Sequence, residues 1–187
     1  MPTPSLPSRR AALAALAASA LVAGCASTRR QELATPVVPR GTLSMDDRTL
    51  AMQAAGAGLY QIEAGKLAAS RAGDAGVRDF GQLLVRQLGA SNSELATVLA
   101  AHGLALPSRL PPQFDARLAA LAAAPAEGFD RRFVQVAGLQ DQRSQVALFE
   151  QARLTVQDPV LRNWFDRMLP VLRQRLQLAQ TLAGMPG

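Results

Sequence analysis

Residues 74–103 read DAGVRDFGQLLVRQLGASNSELATVLAAHG, and this stretch decides the fold class. Its large apolar residues recur every three or four positions, at Val77, Phe80, Leu84, Leu88, Leu95, Val98 and Leu99. Such spacing places them on one face of an α-helix, which is expected to begin near Asp74 and to end at Gly103. The stretch therefore predicts a long amphipathic helix whose apolar face packs against other helices.

Three further long helices and one short helix are predicted around this one. They are expected at about 44–71, 112–123 (the short one), 126–154 and 159–183. The inward residues should be Leu50, Ala54, Leu59 and Ile62 on the first, and Phe129, Phe133, Val136, Gln140, Ala147 and Leu148 on the helix at 126–154. Ser44 with Asp47 forms a capping box, and Pro170 should kink or break the last helix. The pattern predicts an all-α four-helix bundle with a short extra helix in the middle connection.

The start of the chain resembles a bacterial lipoprotein leader. Arg9 and Arg10 supply a positive region, and the apolar stretch 11–22 is too short to span a bilayer as a stable helix. The run LVAGC, which ends at Cys25, resembles a lipobox, at which prolipoproteins are lipidated and cleaved. The resemblance implies a diacylated Cys25 as the first mature residue, and two or more acyl chains give stable anchoring. The alternative is a buried free cysteine after an ordinary leader.

This leader sets the expected organisation and location of the chain. We expect a signal peptide over 1–24, the lipidated cysteine and a flexible tether over 25–43, and the helical domain over 44–187. Ala26 rather than an aspartate follows the cysteine, which by analogy with enteric sorting favours the outer membrane, on its periplasmic face. The expected partners are the membrane, through the lipid on Cys25, and an envelope protein; the oligomeric state stays open. Nucleic acid is not expected, because the basic residues behind the net charge of +6 are scattered among acids.

Short clusters along the predicted helices share their order and spacing with a known family. They are Glu63, Gly65, Leu67 and Ala68; Phe80 to Val85; Asn92 with Leu95; Phe129, Asp130 and Arg131; and Leu169 and Pro170 with Leu172 and Leu176. Together they resemble a bacterial family known as domain of unknown function 4142, over about residues 46–183. The resemblance implies a ferritin-like bundle in an exported protein, and members are often labelled as outer-membrane proteins.

The resemblance also raises the hypothesis of a metal site, because the family commonly carries histidines on three of these helices. The aligned positions here are Leu88, Asp141 and Arg175, and the single histidine of the chain is His102. A ferritin-like di-iron centre needs a Glu-x-x-His motif on two helices, and the sequence has none. We therefore expect no cofactor, no metal and no catalytic residue. The alternative is a metal-binding or redox protein with an atypical carboxylate site at Glu63 and Asp141.

Two arrangements are open for the remaining charged candidates. Asp141 and Arg175 could form a salt bridge across the last two long helices, supported by Glu63, as a buried polar cluster. The other arrangement, which we favour slightly, places both on the rim of the bundle as solvated charges. His102 is expected to be solvated at a helix end. The large aromatics at helical spacing are expected in the core rather than around a ligand: Phe129, Phe133 and Trp164.

The sequence thus favours a non-enzymatic envelope lipoprotein whose bundle is a structural or interaction module. Besides the metal-binding or redox protein, one further alternative is a carrier of an apolar ligand in the bundle core. Small residues on the first helix, at Gly56, Gly58 and Gly65, would give room for such a cavity.

Overall fold

The computed structural model describes residues 41–184, so the predicted leader, Cys25 and most of the tether lie outside the described residues. The helices are α1 Met45–Arg71, α2 Ala75–Ala100, α3 Pro112–Ala122, α4 Ala126–Phe133, α5 Asp141–Thr155 and α6 Pro159–Ala183. Residues Val134–Gln140 form a π-helical segment that joins α4 to α5 in one continuous helix. The result confirms the predicted all-α bundle, with α3 as the short helix of the middle connection. No strand forms within 41–184, and none of the helices there has both the length and the apolar character needed to cross a membrane.

The helix ends lie where the capping residues of the sequence predict them. Ser44 accepts a hydrogen bond from Asp47 N at 3.0 Å, Asp74 from Val77 N at 2.9 Å, and Asp158 from Leu161 N at 2.8 Å. Each bond satisfies a backbone N–H that the first helical turn leaves free. The predicted break at Pro170 is absent, because this exposed residue lies inside a continuous α6; a kink there stays a prediction.

Asp47 has a role that the capping box did not predict. Its carboxylate accepts hydrogen bonds from Gln157 N at 3.0 Å and from Asp158 N at 2.9 Å, and the residue is buried. In a capping box this carboxylate would return to the backbone N–H of its own cap residue. Here it instead joins the start of α1 to the turn between α5 and α6, so one side chain holds two helix ends together.

We expect Asp47→Ala to lower the free energy of unfolding by about 1–3 kcal/mol, because it leaves two backbone N–H groups without their acceptor. Asp46→Ala is the matched control, since Asp46 is exposed and lies in the same first turn of α1. Both variants lose a negative charge near the helix N-terminus, so the control removes the helix-dipole contribution from the comparison. Urea denaturation measures both, and equal losses would show that the contacts with the α5–α6 turn contribute nothing.

The core consists of two apolar clusters that follow one another along the bundle. The first cluster includes Tyr60, Phe80, Leu84, Phe129 and Phe133, and the second includes Leu95, Phe149, Leu161, Trp164 and Phe165. Each of the four long helices, namely α1, α2, the continuous helix formed by α4 and α5, and α6, contributes residues to both clusters. The prediction that Phe129, Phe133 and Trp164 are core residues is confirmed.

A buried polar layer separates the two clusters. Its members are Gln61 on α1, Ser91 on α2, Asp141, Gln142 and Gln145 on α5, and Arg175 on α6. On α2, for example, Ser91 lies between Leu88 of the first cluster and Leu95 of the second. Buried polar groups usually have hydrogen-bond partners, so the contacts of this layer are where a functional site is sought.

Candidate functional site

Two glutamines connect α1 to the π-helical segment within the polar layer. Gln61 Nε2 donates to the backbone oxygen of Ala137 at 3.1 Å, and Gln142 Nε2 donates to Gln61 Oε1 at 3.1 Å. A π-helical segment disturbs the regular backbone ladder, and such segments are frequent at functional sites. The side chain of Gln61 supplies the Ala137 carbonyl with a donor from outside the helix. The segment is thereby fixed directly before Asp141, the next residue of interest.

Asp141 forms a buried ion pair with Arg117 of α3. The aspartate is 4% exposed, whereas the arginine side chain is 38% exposed and reaches the surface. The guanidinium carbon of Arg117 lies 6.0 Å from the ring centres of both Tyr60 and Phe114. Those two rings stack with their centres 5.3 Å apart. The short helix α3 therefore brings a cation and an aromatic ring onto the face of α1 that carries Tyr60.

Tyr60 and Asp141 each keep one buried polar atom without a hydrogen-bond partner among residues 41–184. These atoms are Tyr60 Oη and Asp141 Oδ2. Burial raises the pKa of the Asp141 carboxyl above its usual range, although the charge of Arg117 opposes that shift. Burial also raises the pKa of Tyr60, and the neighbouring Asp141 charge adds to the increase. The phenol is therefore neutral at physiological pH, and it lies close enough to Asp141 to oppose the rise in the pKa of that carboxyl, although no hydrogen bond of normal length and angle joins Tyr60 Oη to Asp141 Oδ2.

A cleft between α1, α3 and α5 opens onto this group. Its volume is about 570 Å³. The apolar lining residues are Met45, Met52, Ala57, Pro111, Phe114 and Leu148. Tyr60, Arg117 and Asp141 also line it, and Tyr60 and Asp141 are its most buried members. Further polar side chains line it, most of them exposed: Arg48, Thr49, Gln53, Gln113, Ser144 and Gln145. The arrangement is a groove of mainly apolar surface in which Tyr60 and Asp141 form a buried polar pair, a composition found in small-molecule sites.

The comparison with known families agrees with the resemblance seen in the sequence. A model described as "Domain of unknown function (DUF4142)" matches residues 32–182. The chain belongs to the DUF4142 family. The match spans α1 to α5 and nearly all of α6. No curated protein and no solved structure gives a significant match.

The DUF4142 domain buries all three positions that the resemblance aligns with family histidines. Leu88 belongs to the first apolar cluster, while Asp141 and Arg175 belong to the polar layer. The arrangement that the sequence favoured, with Asp141 and Arg175 as solvated charges on the rim of the bundle, is therefore wrong. Their interior position follows from the bundle geometry, because each lies on the helix face that points toward the other helices.

The predicted polar cluster of Glu63, Asp141 and Arg175 is wrong in its contacts. Asp141 pairs with Arg117 rather than with Arg175, and Arg175 Nε and Nη1 have no hydrogen-bond partner within 41–184. Glu63 is 35% exposed and pairs with Lys66 at 2.7 Å, one turn along α1. Burial lowers the pKa of Arg175 to about 10, so its guanidinium is still charged at neutral pH.

Cys25 lies outside the described residues, and its lipidation stays a prediction.

Glu63 and Asp141 do not form the carboxylate site of the metal-binding alternative. Each carboxylate contacts a different cation, Lys66 and Arg117 respectively. Within the part of the DUF4142 domain that the structure describes, no three His, Cys, Asp or Glu side chains group in a way that could hold a metal ion.

His102 is enclosed, contrary to the expectation of a solvated helix end. Its side chain is 3% exposed, with Nδ1 at 2.5 Å from the Gly41 backbone oxygen and Nε2 at 3.5 Å from Asp158 Oδ2. The residue follows α2 and contacts the segment before α1 and the start of α6. Its contacts are those of a structural residue, which connects three chain segments at one end of the bundle.

The sequence analysis did not select Gln61, Tyr60 or Arg117. Tyr60 is the single tyrosine and lies four residues before Ala64 and eight before Ala68, both buried, so the small-residue period of α1 could have indicated it. Arg117 is one of many arginines and carries no local signal.

We expect the ionisation of Asp141 to make stability depend on pH. A carboxyl whose folded pKa is raised binds its proton more tightly in the folded than in the unfolded chain. It therefore contributes stability below its unfolded value of 3.8, and this contribution is lost as the pH rises through the folded pKa. Relative to Asp141→Asn, which cannot titrate, the wild type should lose stability from about pH 4 upward.

Urea denaturation of both proteins between about pH 4 and about pH 8 measures this difference. Asp46→Asn is the control, because Asp46 is exposed. A stability difference between wild type and Asp141→Asn that stays constant over this range would contradict the raised pKa of Asp141.

Proposed function

We propose that this chain is a bacterial envelope lipoprotein whose helical domain is a non-catalytic binding module, with the α1–α3–α5 cleft as its binding surface. The lipobox-like run ending at Cys25 supports attachment by lipid, and the residue after it favours the periplasmic face of the outer membrane. The domain would then carry its cleft close to the membrane and to the envelope proteins there.

The observation that carries the binding role is the cleft itself. Its volume of about 570 Å³ falls within the range of about 300–1,000 Å³ found for small-molecule sites. Apolar side chains supply most of the wall area, and the polar lining residues Thr49, Gln53 and Ser144 are exposed. Tyr60 and Asp141 are buried, so they can fix the orientation of a ligand. This role is close to the apolar-ligand carrier considered from the sequence. The cavity, however, lies between α1, α3 and α5 and not along the axis of the bundle core.

A neutral apolar dye such as Nile red tests the cleft. Leu148→Glu places a charge on the half-buried wall, and we expect it to abolish dye fluorescence that the wild type shows. Leu154→Glu is the matched control on the same helix, since Leu154 is 80% exposed and lies outside the cleft. Equal dye binding by both variants would refute the cleft as the binding surface.

Stoichiometric metal in the full chain, purified without chelator, would refute the non-catalytic role.

Lipid attachment is tested separately with the full chain expressed in a bacterium. The wild type should carry acyl groups and fractionate with membranes, whereas Cys25→Ser should carry none. Because Cys25 is the single cysteine, residual acylation of the variant would show that the anchor is elsewhere. Membrane association of the wild type without acyl groups would also contradict the proposal.

A further inference from the structure

We infer that the cleft takes an uncharged amphiphile, with a hydroxyl-bearing head at Tyr60 and Asp141 and a single apolar chain along the groove. The inference rests on the proposed binding role of the cleft and names the class of its ligand. Three properties of the cleft lead to it: two free polar atoms, a balanced pair of charges and an adaptable apolar wall.

The two free polar atoms define what the head must offer. Tyr60 Oη and Asp141 Oδ2 are buried without a hydrogen-bond partner within 41–184, and both residues line the cleft. Tyr60 lies near enough to Asp141 to influence the pKa of its carboxyl, but no hydrogen bond of normal length and angle joins the two side chains, so each atom can take a further partner. The ionised carboxylate can only accept, whereas the phenol can donate or accept. A hydroxyl suits both atoms, because it can donate to Asp141 Oδ2 and accept from Tyr60 Oη at the same time.

The charges at this end of the cleft select against an ionised head. Arg117 and Asp141 form an ion pair, so their formal charges cancel. A ligand carboxylate or a ligand ammonium would therefore meet one like and one opposite charge. With no net attraction to offset it, the loss of hydration of an ionised head would cost more than that of a neutral one. Arg48 also lines the cleft, but it is exposed and its field is screened by solvent and salt.

The wall of the groove suits a flexible apolar chain. Met52, Phe114 and Leu148 line it and are half-buried, so each has apolar surface left to cover. Methionine is unbranched and polarizable, and it adapts to chains of irregular shape. Burial of each methylene of the ligand adds to its affinity, because apolar surface is removed from water. Chain burial would thus supply most of the affinity, and the head would supply its selectivity.

Isothermal titration calorimetry of the full chain with 1-decanol, decanoate and decylamine tests the inference, because the three probes share a chain length and differ in the charge of the head. We expect decanol to bind at least about tenfold more tightly than either ionised probe. Tyr60→Phe keeps the ring that stacks on Phe114 and removes only the hydroxyl. It should weaken decanol binding by about tenfold and change binding of the ionised probes much less.

The outcomes separate this inference from the proposed function. If decanoate or decylamine binds as tightly as decanol, the ligand class is overturned while the cleft remains a binding site. Unchanged decanol binding by Tyr60→Phe would likewise overturn the role of the head group. If none of the three probes binds and Nile red does not bind either, both the inference and the proposed binding role fail.

Discussion

Trp164→Ala is expected to lower the free energy of unfolding by about 3–5 kcal/mol. Trp164 is 2% exposed and belongs to the second apolar cluster. Its ring centre is 5.3 Å from that of Phe149 and 5.0 Å from that of Phe165. Truncation removes both aromatic contacts and leaves a cavity between α5 and α6. The rigid rings around it cannot rotate freely to fill the space, so the cavity stays open.

Two companion variants make the measurement specific. Trp164→Phe keeps most of the apolar volume, and Trp164 Nε1 has no hydrogen-bond partner within 41–184, so this change should cost much less than alanine. Leu154→Ala on α5 truncates a side chain that is 80% exposed and should cost about 0.5 kcal/mol or less. Urea denaturation compares all three. A loss for Trp164→Ala no larger than that for Leu154→Ala would show that the aromatic cluster does not stabilise the fold.

Helix α2 shows why the fold could be predicted from the sequence. Val77, Phe80, Leu84 and Leu88 are all buried as their spacing predicts. Large apolar residues recur there every three or four positions among polar and small ones, so the inward face has a strong periodic signal. Helix α1 lacks that contrast. The predicted inward residues Leu59 and Ile62 are only half-buried, whereas Tyr60 and Gln61 are fully enclosed. Its inward face consists mostly of alanine and glycine, and the burial of such small residues depends on how closely a partner helix approaches.

The π-helical segment explains the errors on the next long helix. Phe129 and Phe133 are buried as predicted, but Gln140 and Ala147 are exposed. The segment Val134–Gln140 turns through more residues than an α-helix does, so the inward face moves along the sequence by about one position. Asp141 and Phe149 are therefore buried instead. A pattern search with a constant helical period has no means of detecting this change of register.

The candidate site was predicted only in part, because one of its residues comes from a helix whose position the sequence does not determine. Asp141 and Arg175 are interior residues, as the buried arrangement required, but the partner of Asp141 comes from α3. The position of that helix depends on the proline-rich connection before it, whose path the sequence does not determine. Arginines are also too frequent in this chain for composition to select Arg117 as the partner. The sequence therefore identified Asp141 and Arg175 as candidate residues, whereas the ion-pair partner of Asp141 could be found only from the three-dimensional path of the chain.

Gly81→Ala is expected to lower the free energy of unfolding by about 2–3 kcal/mol, although alanine is the better helix former. A Cβ atom on Gly81 would lie 2.7 Å from the Gly65 backbone oxygen and 2.9 Å from the Ala69 backbone nitrogen. These are backbone atoms of α1, so the overlap cannot be relieved by turning a side chain. The two helices would have to separate, and apolar contacts on both sides of the crossing would loosen.

Gly89→Ala on the same helix is the matched control and should change stability in the opposite direction. A Cβ atom there would meet no atom within 4 Å, so the variant should gain about 1 kcal/mol from helix propensity alone. Urea denaturation of both variants then compares one chemical change at two positions of α2. Opposite signs would show that close approach to α1, and not helix propensity, requires glycine at 81. A gain of stability in both variants would mean that α1 can move away from α2 at little cost. The contact at Gly81 would then not determine the distance between these two helices.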